Sequence, residues 1–116
     1  KIRVGLEKRR FRRIFYKADI EILLPGEEIE SSQTIDISEG GICFIAKRKI
    51  ETDSRIQVKL KFPKVKPFCV MADVAWIKYI EEAPGIGVKE YKLGLEFINL
   101  KTKDKKIISK FVRSRL

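Results

Sequence analysis

Residues 56–62 read Ile-Gln-Val-Lys-Leu-Lys-Phe, apolar at every second position and polar between. That period belongs to a strand with one face in a core and one in water, and it recurs along most of the chain. Ala18, Ile20, Ile22 and Leu24 follow it until Pro25-Gly26 supplies a turn. Ile29–Ile37, rich in Ser, Thr and Ile, reads as the next strand. Gly40-Gly41 breaks it before a short apolar strand at Ile42–Ala46, which makes a hairpin. Between the break at Pro63–Pro67 and a loop at Glu81–Gly87 lies the long apolar run Phe68–Ile80. One of its faces is expected to carry Val70, Ala72, Val74 and Trp76, with the phase slipping near Lys78 at a bulge or bend. Tyr91, Leu93, Leu95 and Phe97 line one face of a further strand, inside which Gly94 marks a close backbone approach or a sharp bend. From Thr102 to Arg115 the period changes, and Ile107, Ile108, Phe111 and Val112 form a helical stripe. Asp104 near its start and Arg113 and Arg115 near its end suit the helix dipole.

Six short strands followed by one helix predict an all-β domain, a barrel or a sandwich. A six-stranded antiparallel β-barrel with a C-terminal α-helix is favoured, because closure removes the exposed edges of long strands. At 116 residues the chain is one domain by length. Residues 1–13 are read as linker and basic arm, and 14–116 as the barrel with its helix. The chain begins at Lys1, so residues 1–7 are read as the end of a linker in a longer protein.

With 26 Lys and Arg against 16 Asp and Glu, the net charge of +10 favours anionic partners: polyanions, anionic membrane surfaces or phosphorylated ligands. The absence of histidine removes the commonest general base and metal ligand. Cys43 and Cys69 lack the Cys-x-x-Cys spacing of zinc or redox sites and are read as buried free thiols in a reducing cytoplasm. No apolar segment approaches the roughly 20 residues of a membrane span, and no signal peptide is visible. No nucleophile–base set or metal site is legible, so an enzyme is not expected.

Two motifs remain. In Lys8-Arg9-Arg10-Phe11-Arg12-Arg13, Arg9 and Arg13 stand four apart. On a helix or in an extended arm that spacing puts both guanidinium groups on one side, able to converge on a phosphate or a guanine edge. A solvated basic tail is the plainer alternative. In Asp36-Ile37-Ser38-Glu39-Gly40-Gly41, the carboxylate can accept N–H donors such as those on guanine's Watson–Crick edge, and the serine hydroxyl can donate or accept. The glycines leave room for a ligand. The alternative here is a hairpin turn whose side chains cap their own backbone.

Together these motifs resemble those of the PilZ domain family, bacterial receptors for cyclic di-GMP. The likeness rests on the Arg-x-x-x-Arg arm at Arg9 and Arg13 and the Asp-x-Ser-x-x-Gly hairpin at Asp36, Ser38 and Gly41. It extends over the Trp76 strand, Gly94-Leu95-Glu96-Phe97 and the closing helix. The resemblance implies a six-stranded barrel and a ligand-sensing module. Arg9 and Arg13 would hold phosphates and the Hoogsteen edge of guanine, Asp36 and Ser38 would hold the opposite edge, and Gly41 would permit close approach. Lys8, outside the family pattern, is an added cation for a stacked ligand pair. Arg10 and Arg12 are expected to be solvated, Phe11 to anchor the arm by packing, and Trp76 to sit in the core. Besides cyclic di-GMP, the expected partner is a neighbouring domain or protein repositioned when the arm closes. No other cofactor, no metal and no polymeric nucleic acid is expected. Two alternatives stay open. One is a basic barrel binding single-stranded nucleic acid, disfavoured by few surface aromatics and the acidic Glu27-Glu28 and Glu81-Glu82 loops. The other is a PilZ-like protein-contact module without ligand.

Overall fold

A computed structural model describes residues 11–24, 26, 28–80 and 89–116. Its strands are β1 (Ile14–Phe15), β2 (Asp19–Leu23), β3 (Ile29–Ile37), β4 (Gly41–Ala46), β5 (Arg55–Lys61), β6 (Phe68–Ile80) and β7 (Glu90–Ile98). Helix α1 spans Thr102–Arg113. The order β3-β2-β5-β6-β7-β4, closed by β3 pairing with β4, is the expected six-stranded barrel, every ladder antiparallel. The two-residue β1 is an addition, paired to the last residues of β3.

The alternating positions fill the interior as their period requires. Ile20, Ile22, Ile56, Val58, Leu60, Val70, Ala72, Val74, Leu93 and Leu95 are all buried. The α1 stripe closes one end: Ile108 and Val112 are buried, and Phe111 stacks on Phe62 with centroids 4.2 Å apart and planes 5° from parallel. Tyr16 meets Phe111 edge-on at 5.0 Å, so the segment between β1 and β2 is held at the same end. Thr34 fixes that segment from below. Its buried hydroxyl accepts from the Ala18 N–H at 2.9 Å and donates to the Tyr16 carbonyl.

Two register slips decide what the outside of the barrel presents. In β3, Thr34 pairs with Phe44 but Asp36 with Cys43, so Ile35 is an extra residue. Thr34 faces inward, and without the slip Asp36, two positions on, would as well. The bulge turns it to the outer wall. In β6, Val74 pairs with Leu95 but Trp76 with Gly94, so Ala75 is extra. This corrects two expectations. The slip lies at Ala75, not near Lys78, and Trp76 leaves the line of Val70, Ala72 and Val74 for the outside, where it is 42% exposed. Ile77 takes the inward phase and packs against the core. A third correction concerns the thiols: Cys43 is buried as expected, but Cys69 is exposed, because it occupies an outward position of β6.

Candidate ligand-binding site

Antiparallel register places Phe15, Asp36, Cys43, Gly94 and Trp76 side by side across β1, β3, β4, β7 and β6. Directly paired residues share a face, and the neighbouring row of Ile14, Ile37, Ile42, Leu95 and Val74 is buried. The Asp36 row therefore lies on the outer wall. An apolar side chain stands at either end: Phe15, 82% exposed, and the Trp76 indole. The indole lies down across Gly94, where a Cβ would collide with its ring atoms Nε1 and Cε2. Gly94 is thus the close approach its position in the strand suggested, and what approaches is the tryptophan.

Asp36 is the unusual member of the row. It is only 6% exposed, yet no donor among the described residues lies within hydrogen-bond distance of its carboxylate. Its charged neighbour among the described residues is Arg13, with Nη1 3.9 Å from Oδ2, and the Arg13 side chain is 65% exposed. A carboxylate taken out of water without hydrogen bonds costs about 1–3 kcal/mol or more. Arg13 at that distance supplies charge without a hydrogen bond. Asp36 also acts on the thiol beside it. Burial chiefly, and then the Asp36 charge, push Cys43 up to about 11, so it is neutral at physiological pH and no nucleophile.

The turn after β3 is organised by Ser38. Its hydroxyl oxygen accepts from the Gly40 and Gly41 N–H groups, each at 3.1 Å, and its own N–H donates to the Gly41 carbonyl at 2.9 Å. The hydroxyl itself donates more loosely, its oxygen lying 3.4 Å from that carbonyl oxygen. The self-capping turn is therefore present, with a donor left weakly committed. A Cβ at Gly41 would collide with the Leu95 carbonyl, so the missing side chain lets β4 lie against β7. Phe11 covers Gly40, where a Cβ would stand 2.6 Å from its Cδ2, so this residue of the arm rests on the turn. Glu39 reaches the other way and pairs with Arg113 of α1 at 3.2 Å.

The structure therefore gathers Arg13, Asp36, Ser38 and Gly41 at one corner, with Arg12 exposed. Lys8, Arg9 and Arg10 lie outside the described residues, as do Glu27, Glu81 and Glu82. Sequence reasoning did not find Phe15 or the outward-lying Trp76. Gly94, paired directly with Trp76, was the available signal, since a strand glycine often accommodates a neighbour's ring.

The PilZ domain family model matches residues 7–114. The chain belongs to the PilZ family. Solved structures agree with this fold. The PilZ domain of YcgR from Escherichia coli, determined with c-di-GMP, superposes with a TM-score of 0.75 at 16% identity, over 93% of this chain and 91% of that one. The Bacillus subtilis inhibitor of motility MotI gives 0.74 at 18% identity, over 93% of this chain and 50% of that one. MrkH from K. pneumonia in complex with c-di-GMP gives 0.68 at 18%, over 89% and 50%. This PilZ domain spans about half the length of MotI and MrkH. At these identities the likeness establishes the fold alone. No curated protein sequence matches the chain significantly.

Proposed function

We propose that this PilZ domain is a cyclic di-GMP receptor whose basic arm closes over the ligand against the outer wall. The observation that carries the reading is the Asp36 carboxylate, buried and without a hydrogen-bond donor among the described residues, beside the exposed charge of Arg13. Guanine presents two adjacent N–H donors on its Watson–Crick edge, which a carboxylate accepts together. Binding would supply what the fold leaves missing. Arg13, more than half exposed and only loosely tied to Asp36, can turn its fork to a phosphate or to the base's other edge. Arg9, four residues earlier, would join it, with Lys8 adding charge for a second stacked ligand. Ser38 would offer its weakly held proton while keeping the turn in shape, and Gly41 would keep the wall flat there. YcgR and MrkH, similar in fold, were each determined with c-di-GMP, which supports the reading. Closing costs the arginines their rotamer freedom, so the charge-assisted bonds must exceed about 2 kcal/mol for each side chain ordered. The ordered arm would then re-set a neighbouring domain or protein partner.

Calorimetry with cyclic di-GMP on the wild type, Arg13→Ala and Asp36→Asn tests the proposal. The wild type should bind, and each variant should lose at least about tenfold in affinity. Both should keep their thermal midpoint, or raise it for Asp36→Asn, since the amide is cheaper to bury. Undiminished binding in both variants refutes the site. A single-stranded oligonucleotide run alongside tests the nucleic-acid alternative. Tight uptake that falls steeply with salt, as neutralising many phosphates requires, would favour it.

A further inference from the structure

Outward-facing cations on the barrel wall mostly meet acids. Lys61 Nζ lies 2.6 Å from Glu21, Arg55 Nε 3.1 Å from Asp73, and Arg48 Nη1 2.6 Å from Glu28. Lys78 and Lys92 break this pattern. They are direct cross-strand partners in the β6–β7 ladder, and neither has a carboxylate within ion-pair distance among the described residues. Like charges placed opposite each other destabilise a sheet. Glu90, two positions from Lys92, is not within ion-pair distance of either lysine.

Their position is more informative than their charge. Lys92 is two residues from Gly94, and Lys78 two from Trp76, so both continue the same outer wall from the Asp36 row. Gly94 is the direct partner of both Cys43 and Trp76, which makes Lys92 the diagonal neighbour of each. Lys92 is half-buried, and its charge is felt at the Cys43 thiol, which places its influence toward Asp36 rather than away. From Asp36 across Cys43 to β7 is two strand spacings, roughly 10 Å, a span that one nucleotide bridges from base edge to phosphate.

We infer that Lys78 and Lys92, beside the Trp76 indole at the end of the Asp36 row, form a second anion subsite that receives a phosphodiester group of a bound cyclic dinucleotide. The inference rests on the reading of the Asp36 corner and extends it to β6 and β7, which neither sequence motif touches. In the ligand-free protein the two like charges stand opposite each other, and a bound anion would offset them.

The test pairs calorimetry with melting of the ligand-free protein, on the wild type, Lys78→Met, Lys92→Met, the double variant and Lys92→Arg. Methionine keeps the aliphatic stem and removes the charge. Each Met variant should bind cyclic di-GMP about five- to tenfold more weakly, the double variant more weakly still, and Lys92→Arg within about twofold of wild type. Without ligand, the Met variants should melt at the wild-type temperature or a degree or two above it, because a like-charge pair has been removed. A double variant that binds within twofold of a binding wild type overturns the subsite and leaves the Asp36 reading standing. Met variants that melt lower without ligand overturn it too, since the lysines would then be structural. A wild type that takes up no cyclic di-GMP removes the Asp36 reading and the subsite together.

Discussion

Under α1, Phe62 and Phe111 lie flat on each other at 4.2 Å, Tyr16 closes their edge, and the Arg115 guanidinium covers Phe111 at 4.0 Å. On the outer wall stand a buried carboxylate without a hydrogen bond among the described residues, two exposed aromatics and two lysines facing each other. At the capped end each apolar surface has found another. On the wall, groups that folding alone would pair or screen are held apart by the backbone. The difference separates what keeps the barrel closed from what its wall leaves open, and local conflicts with folding collect at functional sites.

Mutating the two regions should separate stability from binding. Phe111→Ala removes the ring that α1 lays on Phe62 and should cost about 3–5 kcal/mol in chemical denaturation. That is a large share of the roughly 5–15 kcal/mol typical of a domain. Gly94→Ala should act on the wall instead. Its Cβ would collide with an indole that is 42% exposed and can swing outward, so stability should fall by only about 1–2 kcal/mol. Tryptophan fluorescence should shift to the red as the ring enters water, and cyclic di-GMP affinity should drop as the wall loses its flat face. If Gly94→Ala instead unfolds the protein as Phe111→Ala does, Trp76 belongs to the core's energetics and the distinction fails.

How much was legible follows the same division. Strands β3 and β6 were read from the sequence with the ends they have, because turn residues bound both: Pro25-Gly26 and Gly40-Gly41 around β3, Pro63–Pro67 and the loop at Glu81–Gly87 around β6. The α1 stripe was equally plain, since nothing else in the chain has that period. The bulges at Ile35 and Ala75 were not legible in place. An extra residue changes the face of all that follows, but neither position is marked by a glycine or proline. The consequence fell on the site, because Trp76 reaches the wall only through such a slip. Asp36 was singled out by its motif, but its burial without a donor among the described residues is a property of packing that no spacing reveals. Lys78 and Lys92 lie 14 positions apart and become neighbours only through the register of β6 on β7.

The smallest effect should come from a wall pair that folding has completed. Lys61 donates to Glu21 at 2.6 Å, and that hydrogen bond, followed by the lysine's charge, holds the Glu21 carboxyl below its ordinary 4.5. A folded-state value below the unfolded one means that the unfolded chain takes up its proton first as pH falls. The pair's contribution is therefore fully present above the ordinary value and is lost as pH drops through the lowered one. Both side chains are partly exposed, so the effect is modest and weakened by salt. Denaturation midpoints of Lys61→Met and wild type should accordingly differ near neutral pH and converge in acid, once the pH is below the lowered Glu21 value. Lys78→Met, which removes no acid's partner among the described residues, should run parallel to wild type through that window. A Lys78→Met curve that converged on wild type as Lys61→Met does would mean that Lys78 has a carboxylate partner in solution, and the contrast between completed and open parts of the wall would be lost.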